Sequence, residues 1–178
     1  MHARPAMPRI ATLSPLSLAL SLGACATHPS SPAALTEEAR AGIAYQCATL
    51  SAAYSHDLDA GEADALAALF SSDGVWQIVS NRMQGREAIS RYWHGRYAQR
   101  KPGEGSRHVI TNELIQIVDH DHATGSAYFA VYGFDAEASK NASLAPVAFA
   151  ISQDEYVRTA EGWRIQLRHI LPVANVAH

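Results

Sequence analysis

Three residues have types suited to proton chemistry and positions that bring them toward one interior. His108 lies in Ser106–Asn112, "SRHVITN", which reads as a strand because Val109, Ile110 and Thr111 are β-branched. Alternation then puts His108, Ile110 and Asn112 on one face, an odd set for a strand packed on an ordinary core. Tyr54 lies on the apolar stripe of a long helical pattern, and Asp59 follows five residues later, where its side chain can turn back toward the same interior. A neutral imidazole takes a proton near pH 7, a carboxylate on its other nitrogen fixes the tautomer, and a phenol donates to a developing oxyanion. Each residue also has a plain structural reading: Tyr54 as a packing aromatic, Asp59 as a solvated acid or helix cap, His108 as a half-buried strand residue.

Weaker candidates surround these three. Asn112 extends the His108 face toward a pocket floor. Tyr128, Ala130 and Tyr132 share one strand face, and Arg164, Gln166 and Arg168 share another; one of these faces lines the interior, and alternation does not say which side of the last strand points inward. On this basis Tyr128 and Tyr132 are expected to bind substrate, and Arg168 reads as a surface ion pair. His120, Asp121 and His122 look like metal ligands but occupy a hairpin tip and read as a solvated turn, so no metal is expected. Arg82, Arg86, Arg91, Arg96, Arg100, Lys101 and Arg107 form a basic region that reads as a solvated face. The chain has no phosphate-binding glycine loop and no G-x-S-x-G.

The elements that must position these residues follow from periodicity. Thr36 with Glu37 and Glu38 starts a helix, and Ile43, Cys47, Leu50, Tyr54 and Leu58 form its stripe until Gly61. A short helix over Ala63–Phe70 follows, then a strand, "GVWQIVS", then a third helix after Gly85. From Arg107 the period becomes two, with strands expected near 107–118, 126–135, 146–158 and 162–172. Helices first and antiparallel strands later argue an α+β fold: three N-terminal helices packed on a strongly curved, mostly antiparallel sheet whose curl makes a pocket.

The first residues belong to export rather than to the fold. Arg4 and Arg9 precede an uncharged apolar run ending in Leu22-Gly23-Ala24-Cys25, which looks like the lipobox of bacterial lipoproteins. That resemblance implies a signal peptide over 1–24, a tether over 25–35 lipidated at Cys25, a domain over 36–178, and a lipid-anchored protein of the bacterial envelope, at the outer membrane facing the periplasm. An ordinary cleaved signal also fits Ala24-Cys25-Ala26. Losing Arg4 and Arg9 deepens the formal charge from −3 to −5, which argues against a nucleic-acid partner. Cys47 is the only other cysteine; it lies in an apolar helical pattern and reads as a small buried hydrophobe.

The segments "LDAGEADALAALF", "GREAI", "HVITN" and "GWRI" occur in an order that resembles the SnoaL-like family, of the nuclear transport factor 2-like superfamily. The likeness covers nearly the whole chain after the tether and implies a cone-shaped α+β barrel. Its implication for function is broader, because such folds host isomerases, lyases, hydrolases and binding modules. The pattern is most similar to scytalone dehydratase, bile-acid dehydratase and hexachlorocyclohexane dehydrochlorinase, cofactor-free elimination enzymes with a histidine oriented by an aspartate. The resemblance implies His108 as that histidine, Asp59 as that aspartate and Tyr54 as an assisting tyrosine. It also implies Arg168 as a contact for a substrate oxyanion, in the way some relatives use an arginine on the last strand. It implies a lyase or isomerase without cofactor that acts on a small apolar or polycyclic molecule, and pairing of two copies as a homodimer. The alternative is a non-catalytic lipoprotein that binds a ligand or partner in the same cone. A structural role like that of the small subunit of ring-hydroxylating dioxygenases sits poorly with export.

Overall fold

Helix α1, Glu37–Ala60, begins where the Thr36 hydroxyl accepts the Ala39 N–H at 3.1 Å. It ends at Gly61, whose φ of 83° is a left-handed conformation natural to glycine. Its stripe is the expected one: Ile43, Cys47, Tyr54 and Leu58 are buried, and Leu50 is partly so. Helix α2, Ala63–Ala68, is short and is followed at once by strand β1, Phe70–Ile78. The computed structural model describes residues 34–135 and 145–175.

Two features here differ from expectation. Phe70 opens β1 rather than closing α2. A short strand, β2 (Asn81–Gln84), folds back on β1 ahead of helix α3 (Arg86–Tyr97). Four residues of mixed polarity give β2 no period to read. Four long strands follow: β3 (Glu104–Ile117), β4 (His122–Asp135), β5 (Ala148–Thr159) and β6 (Gly162–Asn175). The sheet order is β2-β1-β6-β5-β4-β3, antiparallel throughout except for the parallel β1–β6 pair, and it is not closed. Helices pack on its inner face over a core that includes Leu66, Phe70, Ile89, Trp76, Tyr156 and Ile165.

Bulges decide which side chains face that core. On β3, Thr111 pairs with Tyr128 and Leu114 with Ser126, so Asn112 and Glu113 together oppose one residue. Asn112 takes a positive φ of 51° there. The facing changes parity at this point: His108 and Ile110 point inward before it, Ile115 and Ile117 after it. On β6, Ile165 pairs with Tyr156 and Leu167 with Glu155, leaving Gln166 as the extra residue. Trp163 and Ile165 face inward before it, Arg168 and Ile170 after it. The outer face carries exposed Val109 and Tyr128.

Candidate active site

Asp59 stands in the last turn of α1, which carries no basic residue, at the end where the helix dipole disfavours an acid. Its compensation comes from β3. The carboxylate accepts the His108 backbone N–H on Oδ2 at 2.9 Å and meets the His108 ring Nδ1 with Oδ1 at 2.6 Å. An ionised carboxylate only accepts, so a neutral ring facing it carries its proton on Nδ1 and leaves the Nε2 lone pair free. Both side chains are largely buried, at 13% exposure for Asp59 and 17% for His108. Two contacts to one residue fix the ring's tautomer and its orientation together. The long separation in sequence closes as the resemblance implied.

Tyr54 sits one turn further back on α1, fully buried, with its hydroxyl accepting the Trp76 indole N–H at 2.7 Å. Burial holds the phenol well above its ordinary ionisation range, and the nearby Arg168 guanidinium only partly offsets this. The hydroxyl therefore stays neutral and remains a donor. Helix α3 closes the neighbourhood with aromatics: Tyr92 and Trp93 lie 5.1 and 5.2 Å from the Trp76 ring, and the Tyr97 hydroxyl donates to the Leu58 carbonyl at 3.1 Å. That bond pins α3 to the end of α1 beside Asp59. Burial raises the Tyr97 phenol to about 12.

Tyr54, Trp76 and His108 all line one cavity of roughly 170 Å³. The rest of its wall is apolar, from Leu58 and Trp93 to Phe129, Val131, Phe149 and Ile170. Among the described residues, the lining side chains with polar atoms are Tyr54, His108 and the two indoles. Asp59 lines a separate cleft with His56 and Arg107, so His108 stands between its partner carboxylate and the cavity. The arrangement offers one base nitrogen and the Tyr54 hydroxyl as a neutral donor inside an apolar enclosure, whose wall also holds the Trp93 indole N–H, buried and unpartnered among the described residues. Among the described residues no group of three or more His, Cys, Asp or Glu could hold a metal ion; His122 Nδ1 contacts Asp119 at 2.9 Å in an exposed turn.

Four expected ligand contacts lie elsewhere. Asn112 is exposed at the β3 bulge and does not reach the cavity, because the bulge ends the alternation that placed it beside His108. Tyr128 and Tyr132 are on the outer face of β4, Tyr128 at 49% exposure, while Phe129 and Val131 line the cavity. The strand's two faces were the right alternatives, and the larger aromatic set is on the outer one. Arg168 does point inward, since the Gln166 bulge reverses the facing after Ile165, but it is neither ligand contact nor surface ion pair. It is fully buried beneath Tyr54, its guanidinium 4.2 Å from that ring, and it pairs with Asp154 through Nε at 2.9 Å and Nη2 at 2.7 Å. Ser51, Ser152 and Tyr156 extend the network, which leaves Arg168 Nη1 without a hydrogen-bond partner among the described residues. Glu113, the second residue of the β3 bulge, is exposed as a residue, yet its carboxyl bonds Ser51 and partial burial raises it above the usual range. Cys47 is buried as expected, and burial pushes its thiol up to about 12. Cys25 lies outside the described residues.

Sequence reasoning missed Trp76, Trp93, Phe129 and Phe149 as cavity residues. Trp76 lay in a strand already recognised, and Phe129 could have been found by taking the opposite parity of β4. Trp93 lies on a helix whose apolar face is broken by His94 and Arg96, so periodicity gave no signal.

Comparison with known proteins agrees with this fold. A family model described as a SnoaL-like domain matches residues 40–169. Among solved structures, a provisionally assigned scytalone dehydratase of Novosphingobium aromaticivorans matches at 18% identity and TM-score 0.67, over 80% of this chain and 92% of its own. ActVI-ORFA of Streptomyces coelicolor matches at 18% identity and TM-score 0.64, over 74% and 98% respectively. A protein of unknown function with a cystatin-like fold from Nostoc punctiforme matches at 25% identity and TM-score 0.60, over 78% and 93%. No curated protein matches. With the family model spanning most of the chain and the fold shared by these structures, the protein belongs to the SnoaL-like family and has its nuclear transport factor 2-like, cystatin-like α+β cone fold.

Proposed function

We propose that the domain is a cofactor-free acid–base lyase or isomerase, whose base is His108 Nε2, oriented by Asp59, and whose donor is the Tyr54 hydroxyl. The observation that carries this reading is the 2.6 Å contact between Asp59 Oδ1 and His108 Nδ1, with the histidine lining an apolar cavity and its carboxylate partner outside it. In an elimination from a β-hydroxy ketone, Nε2 takes the proton α to the carbonyl. The C–H electron pair becomes the new C=C bond and the C–O bond breaks. The departing hydroxide leaves as water with the proton returned from the imidazolium. Tyr54 stabilises the enolate-like oxygen by donation. Both proton transfers use side chains already present. Positioned proton transfer contributes about 10²–10⁴-fold, and the apolar wall strengthens the charge stabilisation. A flat, weakly polar substrate suits an enclosure walled by indole and phenyl rings.

The test is elimination from a panel of β-hydroxy aryl ketones, followed by ultraviolet absorbance of the enone, with His108→Ala as the comparison. Turnover lost in that variant, with circular dichroism unchanged, supports the reading. A folded wild type inert toward the whole panel contradicts it. One observation favours a binding module instead: Asp59 satisfies both the ring and the backbone of the same histidine, which a purely structural pair would also do. Tight apolar-ligand binding without turnover is the outcome that favours it.

We also propose that the chain is exported and anchored through lipid on Cys25, at the outer membrane facing the periplasm. The motif Leu22-Gly23-Ala24-Cys25 supports this. Among the described residues no helix is long and apolar enough to cross a membrane. Cys25→Ser should move the protein from the membrane to the soluble periplasmic fraction; a variant that stays in the membrane overturns the proposal.

A further inference from the structure

We infer that Trp76 is a positioning residue that commits the Tyr54 hydroxyl to donating into the cavity, so that the site selects flat ligands carrying an acceptor oxygen. An indole nitrogen has a hydrogen and no lone pair to offer, so the 2.7 Å contact has one direction: Trp76 donates and Tyr54 accepts. The phenol's own hydrogen is left over. Among the described residues no acceptor lies within hydrogen-bond distance of it, and Tyr54 lines the cavity. A buried donor without an acceptor is costly, so a ligand oxygen in reach satisfies a group the fold leaves open.

The pair cannot readily rearrange. Trp76 is 3% exposed and sits mid-strand on β1, opposite Met83 of β2 and Arg168 of β6. Its ring is held by Tyr92 and Trp93. Tyr54 is held edge-on by Phe70 at 6.4 Å, and the Arg168 guanidinium lies 4.2 Å from its ring. That cation polarises the phenol toward donation. A carbonyl, ether or hydroxyl oxygen meets the free O–H. A pure hydrocarbon leaves it unpaired, and an ammonium group, which has hydrogens and no lone pair, cannot accept it. The cavity walls of Trp76, Trp93, Phe129 and Phe149 favour a flat ring behind that oxygen.

The inference deepens the role proposed for Tyr54 but needs no turnover. Its probe is an isosteric pair, acetophenone and α-methylstyrene, which differ by C=O against C=CH₂. The full chain in detergent should prefer the ketone. That preference should fall about 3- to 10-fold in both Tyr54→Phe and Trp76→Phe, the size of one neutral hydrogen bond. The carbonyl infrared band of bound acetophenone should lie lower in wild type than in either variant, which a loss of packing alone would not produce. Equal binding of the two probes by wild type overturns the inference, as does a Trp76→Phe protein with unchanged preference and band. Should Trp76→Phe not fold, the Trp76 ring N–H resonance is read in wild type and Tyr54→Phe. It should shift on adding acetophenone only where the phenol is present, and a resonance indifferent to the ketone refutes the coupling. A protein that prefers the ketone but eliminates nothing leaves this inference standing and the catalytic proposal fallen.

Discussion

Asp59→Asn separates the charge of the carboxylate from its shape. An amide in that place has one acceptor and one donor, and it faces two groups that both donate in the wild type: the His108 backbone N–H at 2.9 Å and the ring Nδ1–H at 2.6 Å. The backbone N–H cannot change role, so the amide oxygen turns to it. The amide NH₂ then faces Nδ1, which must become an acceptor, and the ring proton moves to Nε2. The nitrogen that faces the cavity is now protonated and no longer a base. The opposite flip sets NH₂ against the backbone N–H and leaves a buried donor unpaired, at about 1–3 kcal/mol. A rate loss of about 10²–10⁴-fold is expected, the share supplied by positioned proton transfer and tautomer control. Loss of one charge-assisted bond in a pair still partly open to solvent should cost about 1–2 kcal/mol of stability. Nitrogen-15 NMR of labelled histidine reads the tautomer directly, and the elimination assay reads the rate. An Asp59→Asn protein whose His108 Nε2 stays unprotonated, or whose rate falls less than about threefold, refutes the reasoning.

Other expected outcomes can be checked on the same protein. Tyr54→Phe leaves the Trp76 indole N–H without its acceptor inside the core, so chemical denaturation should show a loss of about 1–3 kcal/mol; an unchanged midpoint contradicts the contact. Arg168→Met strands Asp154 in the interior and should cost about 3–5 kcal/mol, whereas Arg168→Met with Asp154→Leu should recover much of that loss. No recovery would show that the pair contributes more than mutual neutralisation. Glu113 has its carboxyl raised by burial, so it favours the folded state while protonated and this is lost as pH rises through its folded-state value. Glu113→Gln should therefore raise the melting temperature at pH 7, and the gain should disappear below the ordinary carboxylate range of about 4. A gain that instead grows in acid would reverse the assigned direction.

The sequence carried the fold because its signals were local and repeated. Thr36, Gly61 and the Ile43–Leu58 stripe marked α1 by cap, break and period, and the four long strands announced themselves by alternation. The short β2 did not, having too few residues for a period. Within the site, Tyr54, Asp59 and His108 were legible since two sit on a strong helix and the third precedes any bulge on its strand. Asn112 was misplaced because a bulge inserts one residue and leaves no mark in residue types. Gln166 acts the same way: it made Arg164, Gln166 and Arg168 look like one face when only Arg168 turns to the core. For Tyr128 and Tyr132 the pattern allowed both faces, and packing of β4 against α1 chose Phe129 and Val131 instead. Distances that close across about fifty residues, such as Asp59 to His108, came from resemblance rather than from any local signal.

Binding alone and catalysis predict different fates for the hydrogens next to a bound carbonyl. The most direct measurement is deuterium uptake at the α-carbon of acetophenone in D₂O, followed by proton NMR with wild type and His108→Ala. If His108 is a base aimed into the cavity, wild type labels the methyl group well above the buffer rate and His108→Ala returns to it. A wild type that binds the ketone yet labels it no faster than buffer contradicts the account.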